Sequence, residues 1–169
     1  MGTNIEIKAR VTDMAGLTAR AARLSDGPAE LITQEDIFFV TPRGRLKLRI
    51  LAGDLGELIY YERTRGSGPQ ESCYSIAPTT DPEALRYSLA QAYGVRGVVR
   101  KQRRLYMAGS TRIHLDEVEG LGAFMELEVV LAEGDSRSQG EKEAADLMEK
   151  LGVKSADLVR GAYIDLLEK

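Results

Sequence analysis

From Thr3 to Val11 the chain alternates, with Asn4, Glu6, Lys8 and Arg10 on one parity and Ile5, Ile7, Ala9 and Val11 on the other. That is the period of a strand with one apolar face. From Asp13 the period lengthens: Met14, Leu17, Ala21 and Leu24 form one stripe of a helix that Asp13 caps and Gly27-Pro28 ends. Four more strand-like runs follow, Gln34 to Val40, Arg45 to Leu51, Glu57 to Arg63 and Glu71 to Ala77. They are separated by Thr41-Pro42-Arg43-Gly44, Gly53-Asp54 and Gly66-Ser67-Gly68-Pro69. Connections this short predict antiparallel neighbours. Asp81-Pro82-Glu83 then opens a helix whose buried stripe is Leu85, Leu89 and Ala92, ending at Gly94. Val98 to Met107, Thr111 to Val118 and Phe124 to Leu131 read as the last strands. Two helices close the chain. Ser138-Gln139-Gly140-Glu141 reads as a capping box ahead of Ala144, Leu147 and Leu151, and Ser155 as the cap of a helix carrying Leu158, Val159, Ala162 and Leu166. No linker divides these elements, so residues 1–169 are expected to form one domain.

The polar faces of the strands carry the chemistry. Arg45, Lys47 and Arg49 share one side of a strand whose other side is Leu46, Leu48 and Ile50. The same parity recurs in Lys101 and Arg103, in Arg112, His114 and Asp116, and in Glu126 and Glu128 opposite Met125, Leu127 and Val129. Water explains the polar face of any single strand. It does not explain so many strongly charged faces in a chain whose amphipathic helices are suited to cover the apolar ones. The expected fold is therefore α+β: an eight-stranded antiparallel β-barrel, turned so that its ionic faces line a lumen and its helices pack outside.

Composition sharpens this. With 169 residues, 43% apolar and 29% charged, the chain suits one compact domain, and its net charge of −3 argues against a basic nucleic-acid coat. The proposed lumen runs against that balance: Lys8, Arg10, Arg45, Lys47, Arg49, Lys101, Arg103 and Arg112 face only Glu6, Asp116, Glu126 and Glu128. Enclosed surplus charge needs a counter-ion, and a polyanion is the natural one. Carboxylates beside such a site point to a hard divalent cation, with Glu6, Asp116, Glu126 and Glu128 as candidate ligands and Mg²⁺ or Mn²⁺ as the ion an oxygen set favours. Salt bridges to the neighbouring Arg and Lys are the structural alternative for each. His114, the sole histidine, reads as a hydrogen-bonded structural group, and the single Cys73 excludes an intrachain disulfide and a multi-cysteine zinc site. Arg96, Arg100, Lys101, Arg103 and Arg104 form a basic cluster, but strand parity splits it between two faces, against a nucleic-acid role. No apolar run approaches the roughly 18 residues of a membrane span, and Met1 to Glu6 lacks a secretory apolar core, so a cytoplasmic protein without a membrane partner is expected. The pattern fixes no oligomeric state and is compatible with a homodimer.

Asn4-Ile5-Glu6-Ile7-Lys8 resembles the E-x-E-x-K signature of the CYTH, or triphosphate tunnel, superfamily. Arg45 to Arg49, Lys101-Gln102-Arg103, Ile113 to Asp116 and Glu126-Leu127-Glu128 extend the likeness over nearly the whole chain. His114 to Phe124 and Tyr163-Ile164-Asp165-Leu166-Leu167 look most like the class IV adenylyl cyclase branch. The resemblance implies that Lys8, Arg45, Lys47, Arg49, Lys101 and Arg103 grip a triphosphate such as ATP. Spacing adds Arg112. Glu6, Glu126 and Glu128 would hold one or two divalent ions with Asp116 nearby, and Lys8 would lie near the attacking oxygen. Two positions depart from the family pattern. Asn4 removes a carboxylate from the signature, and Glu62 stands in a strand where relatives often carry a lysine, with Arg63 and Arg65 close by. Three functions follow as expectations: cyclisation of ATP to cyclic AMP and pyrophosphate; hydrolysis of an inorganic, nucleoside or thiamine triphosphate; or polyphosphate or nucleotide binding without turnover.

Overall fold

A computed structural model of the chain describes residues 2–52, 54–63 and 69–169. The expected turns at Gly53 and at residues 66–68 lie outside the described residues, as does Arg65. Eight strands, β1 (Gly2–Arg10), β2 (Glu30–Phe39), β3 (Arg45–Ile50), β4 (Gly56–Arg63), β5 (Gln70–Thr79), β6 (Val95–Ala108), β7 (Thr111–Val118) and β8 (Gly122–Leu131), close into a barrel. Around it the order is β1, β5, β4, β3, β2, β6, β7, β8, every pairing antiparallel. Pro78 fits in β5 because β1 pairs β5 only from Gln70 to Tyr74. The missing proline N–H therefore falls where β5 has a ladder on one side alone.

The helices α1 (Met14–Leu24), α2 (Pro82–Tyr93) and α3 (Arg137–Lys150) cover the outside. α1 and α3 bury Leu17, Ala21, Ala144 and Leu147 against the outward parity of β1, β7 and β8, namely Ile5, Ile7, Ile113, Leu115, Met125 and Leu127. Each of the Leu, Ile and Met side chains among these, once fully buried, contributes about 1.5–3 kcal/mol. The packing leaves no spare room: a Cβ on Gly140 would meet Ile5 and Leu131 at 2.7 Å. α2 covers Ile37, Phe39 and Leu48 with Leu85 and Leu89. With their apolar sides satisfied from outside, the strands turn their ionic sides inward. No helix among the described residues is long and apolar enough to cross a membrane.

Two expectations need correction near the C-terminus. α3 begins two residues earlier than its sequence signal: Ser136, not Ser138, is the cap, and Gln139 returns the second bond of the box. Gln139 closes the reciprocal pair with Ser136, while Glu141, the partner Ser138 would need, accepts from Arg137 Nε at 2.7 Å instead. The helix expected from Ser155 is instead a 3₁₀ turn (Ser155–Asp157), an extended stretch, and a short α4 (Tyr163–Leu167). Leu158 bridges Ala9, and Val159 N–H donates to the Lys8 carbonyl. Pairing with β1 competes with helix there, and Gly161 at φ +92° breaks it. This segment drops Ala162, Tyr163 and Ile164 into the barrel against Phe38, Val99, Val118 and Phe124, forming an inner apolar floor. Gly97 makes room for it, since a Cβ there would meet Ile164 at 2.6 Å.

Candidate active site in the tunnel

Inside the barrel lies a chamber of about 120 Å³ to which all eight strands contribute. Among the described residues its lining includes seven cations, Lys8, Lys47, Arg49, Arg63, Lys101, Arg103 and Arg112, against four carboxylates, Glu6, Asp36, Glu126 and Glu128. A larger cavity of about 970 Å³ adjoins it, sharing Glu6, Lys8, Tyr61, Arg63 and Glu126 and adding Arg43, Arg45 and Arg160 at the rim.

One wall is organised by Asp36 on β2. Its carboxylate, 1% exposed, accepts from Lys47 Nζ at 2.9 Å, from Arg49 Nε at 2.8 Å and Nη2 at 2.9 Å, and from Lys101 Nζ at 3.1 Å. Burial alone would raise this carboxyl; Arg49, Lys101 and Lys47 overcome it and hold it well below the usual range. Three cations on one anion leave surplus positive charge. Burial, with Arg49 adjacent, pulls the Lys47 ammonium down to about 7 despite Asp36.

The facing wall, on β1, β7 and β8, is acidic. Pairing aligns Glu6 with Glu128 and Lys8 with Glu126 across β1 and β8, and His114 with Glu126 and Arg112 with Glu128 across β7 and β8. Glu126 lies 3.1 Å from both Lys8 Nζ and Arg103 Nη2, which hold its carboxyl well below the usual range against the effect of burial. Glu6 pairs with Arg63 at 2.7 Å, and Glu128 with Arg112 at a looser 3.5 Å. Burial raises the Glu6 carboxyl, and repulsion from Glu128 and Glu126 adds to it against the pull of Arg63. His114, also buried, has its pKa pushed down by burial and by Arg103 against the pull of Glu128 and Glu126, which favours the neutral imidazole. Its Nδ1 has no hydrogen-bond partner and stands 3.9 Å from Glu126 and 3.8 Å from Glu128. These three residues bring ligand atoms within 4.8 Å of one another, a donor set suited to a divalent cation.

The site residues expected from sequence divide into three positions. Glu6, Lys8, Lys47, Arg49, Lys101, Arg103, Arg112, Glu126 and Glu128 line the chamber. Arg45 sits at the rim of the outer cavity, bonded to Asp165 at 2.6 Å. Asp116 stands behind Arg103, both oxygens engaged: Arg103 Nε and Nη2 donate at 2.7 and 2.6 Å, and the Tyr163 hydroxyl at 2.8 Å. Arg10, counted with the lumen by parity, is exposed at the end of β1 over the Phe124 ring. Glu62 is exposed on the outward parity of β4, while Arg63 enters the chamber. The basic cluster splits as its parity predicts: Arg96 bonds Glu168 and Asp165, Arg100 bonds Glu35, and Lys101 and Arg103 turn inward.

Sequence reasoning missed Asp36, Arg63 and Tyr163. Asp36 did leave a signal, an acid that follows Thr33-Gln34-Glu35 and abuts Ile37-Phe38-Phe39 within one strand, where Asp is disfavoured. Tyr163 stood only within the C-terminal stretch that carries the family resemblance, with no periodic sign of a place in the lumen, because it reaches the chamber through the C-terminal turn, where Lys8 Nζ lies 4.0 Å from its ring centre.

The CYTH domain family model matches residues 2–163. The chain is 25% identical over 177 residues to the adenylate cyclase CyaB of Aeromonas hydrophila, covering 98% of this chain and 88% of that one. It is 22% identical over 169 residues to MJ0240 of Methanocaldococcus jannaschii, named as a candidate adenylate cyclase, covering 96% and 97% respectively. The solved structure of PH1012 from Pyrococcus horikoshii superposes with a TM-score of 0.86 at 25% identity, covering 97% of this chain and 99% of that one. Closed barrel, inward ionic faces and a family match over nearly its full length together make this chain a member of the CYTH family.

Proposed function

We propose that the chain is a divalent-metal-dependent enzyme acting on a triphosphate, and that its reaction is the cyclisation of ATP to cyclic AMP and pyrophosphate. The observation that carries this is the chamber itself, a surplus of buried cations facing a cluster of carboxylates. A buried cation surplus is stabilised by a multivalent anion, and phosphate oxygens accept the charge-assisted bonds that Lys47, Arg49, Lys101 and Arg103 would donate. Tyr74 and Ile76 on β5, less deeply buried than Phe38 and Val99, continue the lining of the same chamber and give a nucleoside a surface that an inorganic triphosphate would not use. The cyclase name of the Aeromonas relative supports the choice of reaction.

In this reading Glu6, Glu126 and Glu128 hold the cation, Mg²⁺ or Mn²⁺, which when bound neutralises phosphate charge. Asp116 aims Arg103. The 3′ oxygen of the ribose forms a bond to the α-phosphorus as the bond from that phosphorus to the pyrophosphate oxygen breaks. Lys8, whose ammonium pairs with Glu126 and donates to the Gly161 carbonyl, lies by the attacking oxygen and stabilises its developing charge, while the hydroxyl proton leaves to water. Lys47, Arg49 and Lys101 meet the charge that develops on departing pyrophosphate. The deciding assay is incubation with ATP and Mn²⁺. Cyclic AMP with pyrophosphate is expected; orthophosphate alone would replace the reading with hydrolysis, and tight triphosphate binding without turnover would replace it with a binding module.

A further inference from the structure

The imidazole of His114 has no role in the scheme above, yet it occupies a demanding position. It is 4% exposed, and its Nδ1 is buried without a hydrogen-bond partner, a state that costs free energy unless something satisfies it. The nearest polar atoms are carboxylate oxygens of Glu128 and Glu126 at 3.8 and 3.9 Å. Those separations are too long for hydrogen bonds. They are within the span of two bonds of roughly 2.1 Å from a nitrogen and an oxygen to one shared cation. Register explains the convergence: β7 sets His114 directly opposite Glu126, and Glu128 lies two residues further along the same face of β8. Glu128 is the less committed carboxylate, since its Arg112 contact is 3.5 Å.

We infer that His114 is a nitrogen ligand of the divalent ion, forming with Glu126 and Glu128 a mixed nitrogen and oxygen site that favours Mn²⁺ or another first-row transition ion over Mg²⁺. The inference rests on the proposal that this chamber holds a cation, and it changes the donor set from oxygen alone. Imidazole is a good ligand for first-row transition ions and a poor one for Mg²⁺, which prefers carboxylate, phosphate and water oxygens.

Because His114 is the only histidine in the chain, the test needs no assignment. Tag-free protein is loaded with Mn²⁺ alone and examined by pulsed electron paramagnetic resonance. A directly bound imidazole gives a ¹⁴N modulation that changes to the ¹⁵N pattern when the protein is grown on ¹⁵N-histidine, and this readout requires no variant that must fold. Calorimetry of His114→Gln is expected to show Mn²⁺ binding weakened by about tenfold or more with Mg²⁺ binding changed by less than about twofold. Bound Mn²⁺ without nitrogen coupling would overturn the inference, as would equal losses for both ions. Nitrogen coupling without turnover of any triphosphate would leave His114 a ligand and remove the enzymatic reading. Turnover without nitrogen coupling would do the reverse, and failure to bind Mn²⁺ at all would sink both.

Discussion

The wall built by β2 and β3, with Lys101 from β6, gathers three cations on the single carboxylate of Asp36, whereas the wall of β1, β7 and β8 half a circumference away gathers three carboxylates and an imidazole. Both are buried, and both are ionic on the same strand parity. Their difference lies in the sign of the surplus. The Asp36 wall has more positive charge than its own anion can match, which suits an anionic ligand. The opposite wall crowds carboxylates together, and burial first, then repulsion from Glu128 and Glu126, raises the Glu6 carboxyl, which suits a cation. Arg103, bonded to both Asp116 and Glu126, ties the acidic side together and lies next to Lys101 on the same strand face. Two imbalances of opposite sign across one chamber are what a site for a metal-bound polyphosphate requires.

The largest effect should come from removing the one anion of the cationic wall. Asp36→Asn leaves Lys47, Arg49 and Lys101 without a buried counter-charge, which should cost about 3–5 kcal/mol and lower the thermal midpoint by roughly 10 °C. A midpoint within a degree or two of wild type would mean that the wall does not depend on Asp36.

On the acidic wall the corresponding change, Glu126→Gln, should act on the cation more than on the fold. Calorimetric Mn²⁺ affinity should fall by more than about tenfold, and turnover of a triphosphate with it. Retained affinity would break the contrast between the two walls.

Lys47→Met tests the sign of the surplus directly. Below pH 7 both native and unfolded chains carry the Lys47 proton; between about 7 and 10.5 the unfolded chain keeps it and the native one does not. Lys47 therefore makes native stability rise with pH across that window, and its charged form destabilises the ligand-free fold below it. Lys47→Met should raise the thermal midpoint at pH 6 by a few degrees, flatten the rise between pH 7 and 10.5, and weaken triphosphate binding by about tenfold or more. A lower midpoint at pH 6 would show that the Asp36 bond outweighs the crowding.

The smallest effect is expected at Glu62. Glu62 is exposed at the edge of the outer cavity, where solvent screens its charge, and for Glu62→Lys the triphosphate affinity measured in about 0.15 M salt should move by less than about threefold. A larger gain would bring Glu62 into the ligand's reach.

Much of this was legible along the chain, because a strand's two faces are written in its own alternation. Glu6 and Lys8, Lys47 and Arg49, Lys101 and Arg103, Glu126 and Glu128 each betray their shared side within a few residues. Strand ends were less legible. Parity alone put Arg10 in the lumen, but the chamber ends before it does. The C-terminus was read by helical period, yet pairing with the β1 backbone and the turn at Gly161 decided its path.

Alternation alone thus determined that five of the strands, β1, β3, β6, β7 and β8, would have an ionic and an apolar side, since that property is local and each strand carries it independently. Closure of the barrel decided which charges meet. Asp36 faces Lys101 across 65 residues, Tyr163 reaches Asp116 across 47, and β1 lies beside β8 because the sheet has no free edge. Such encounters are set by register and ring order, which join segments distant in sequence and so leave no periodic trace in any one of them.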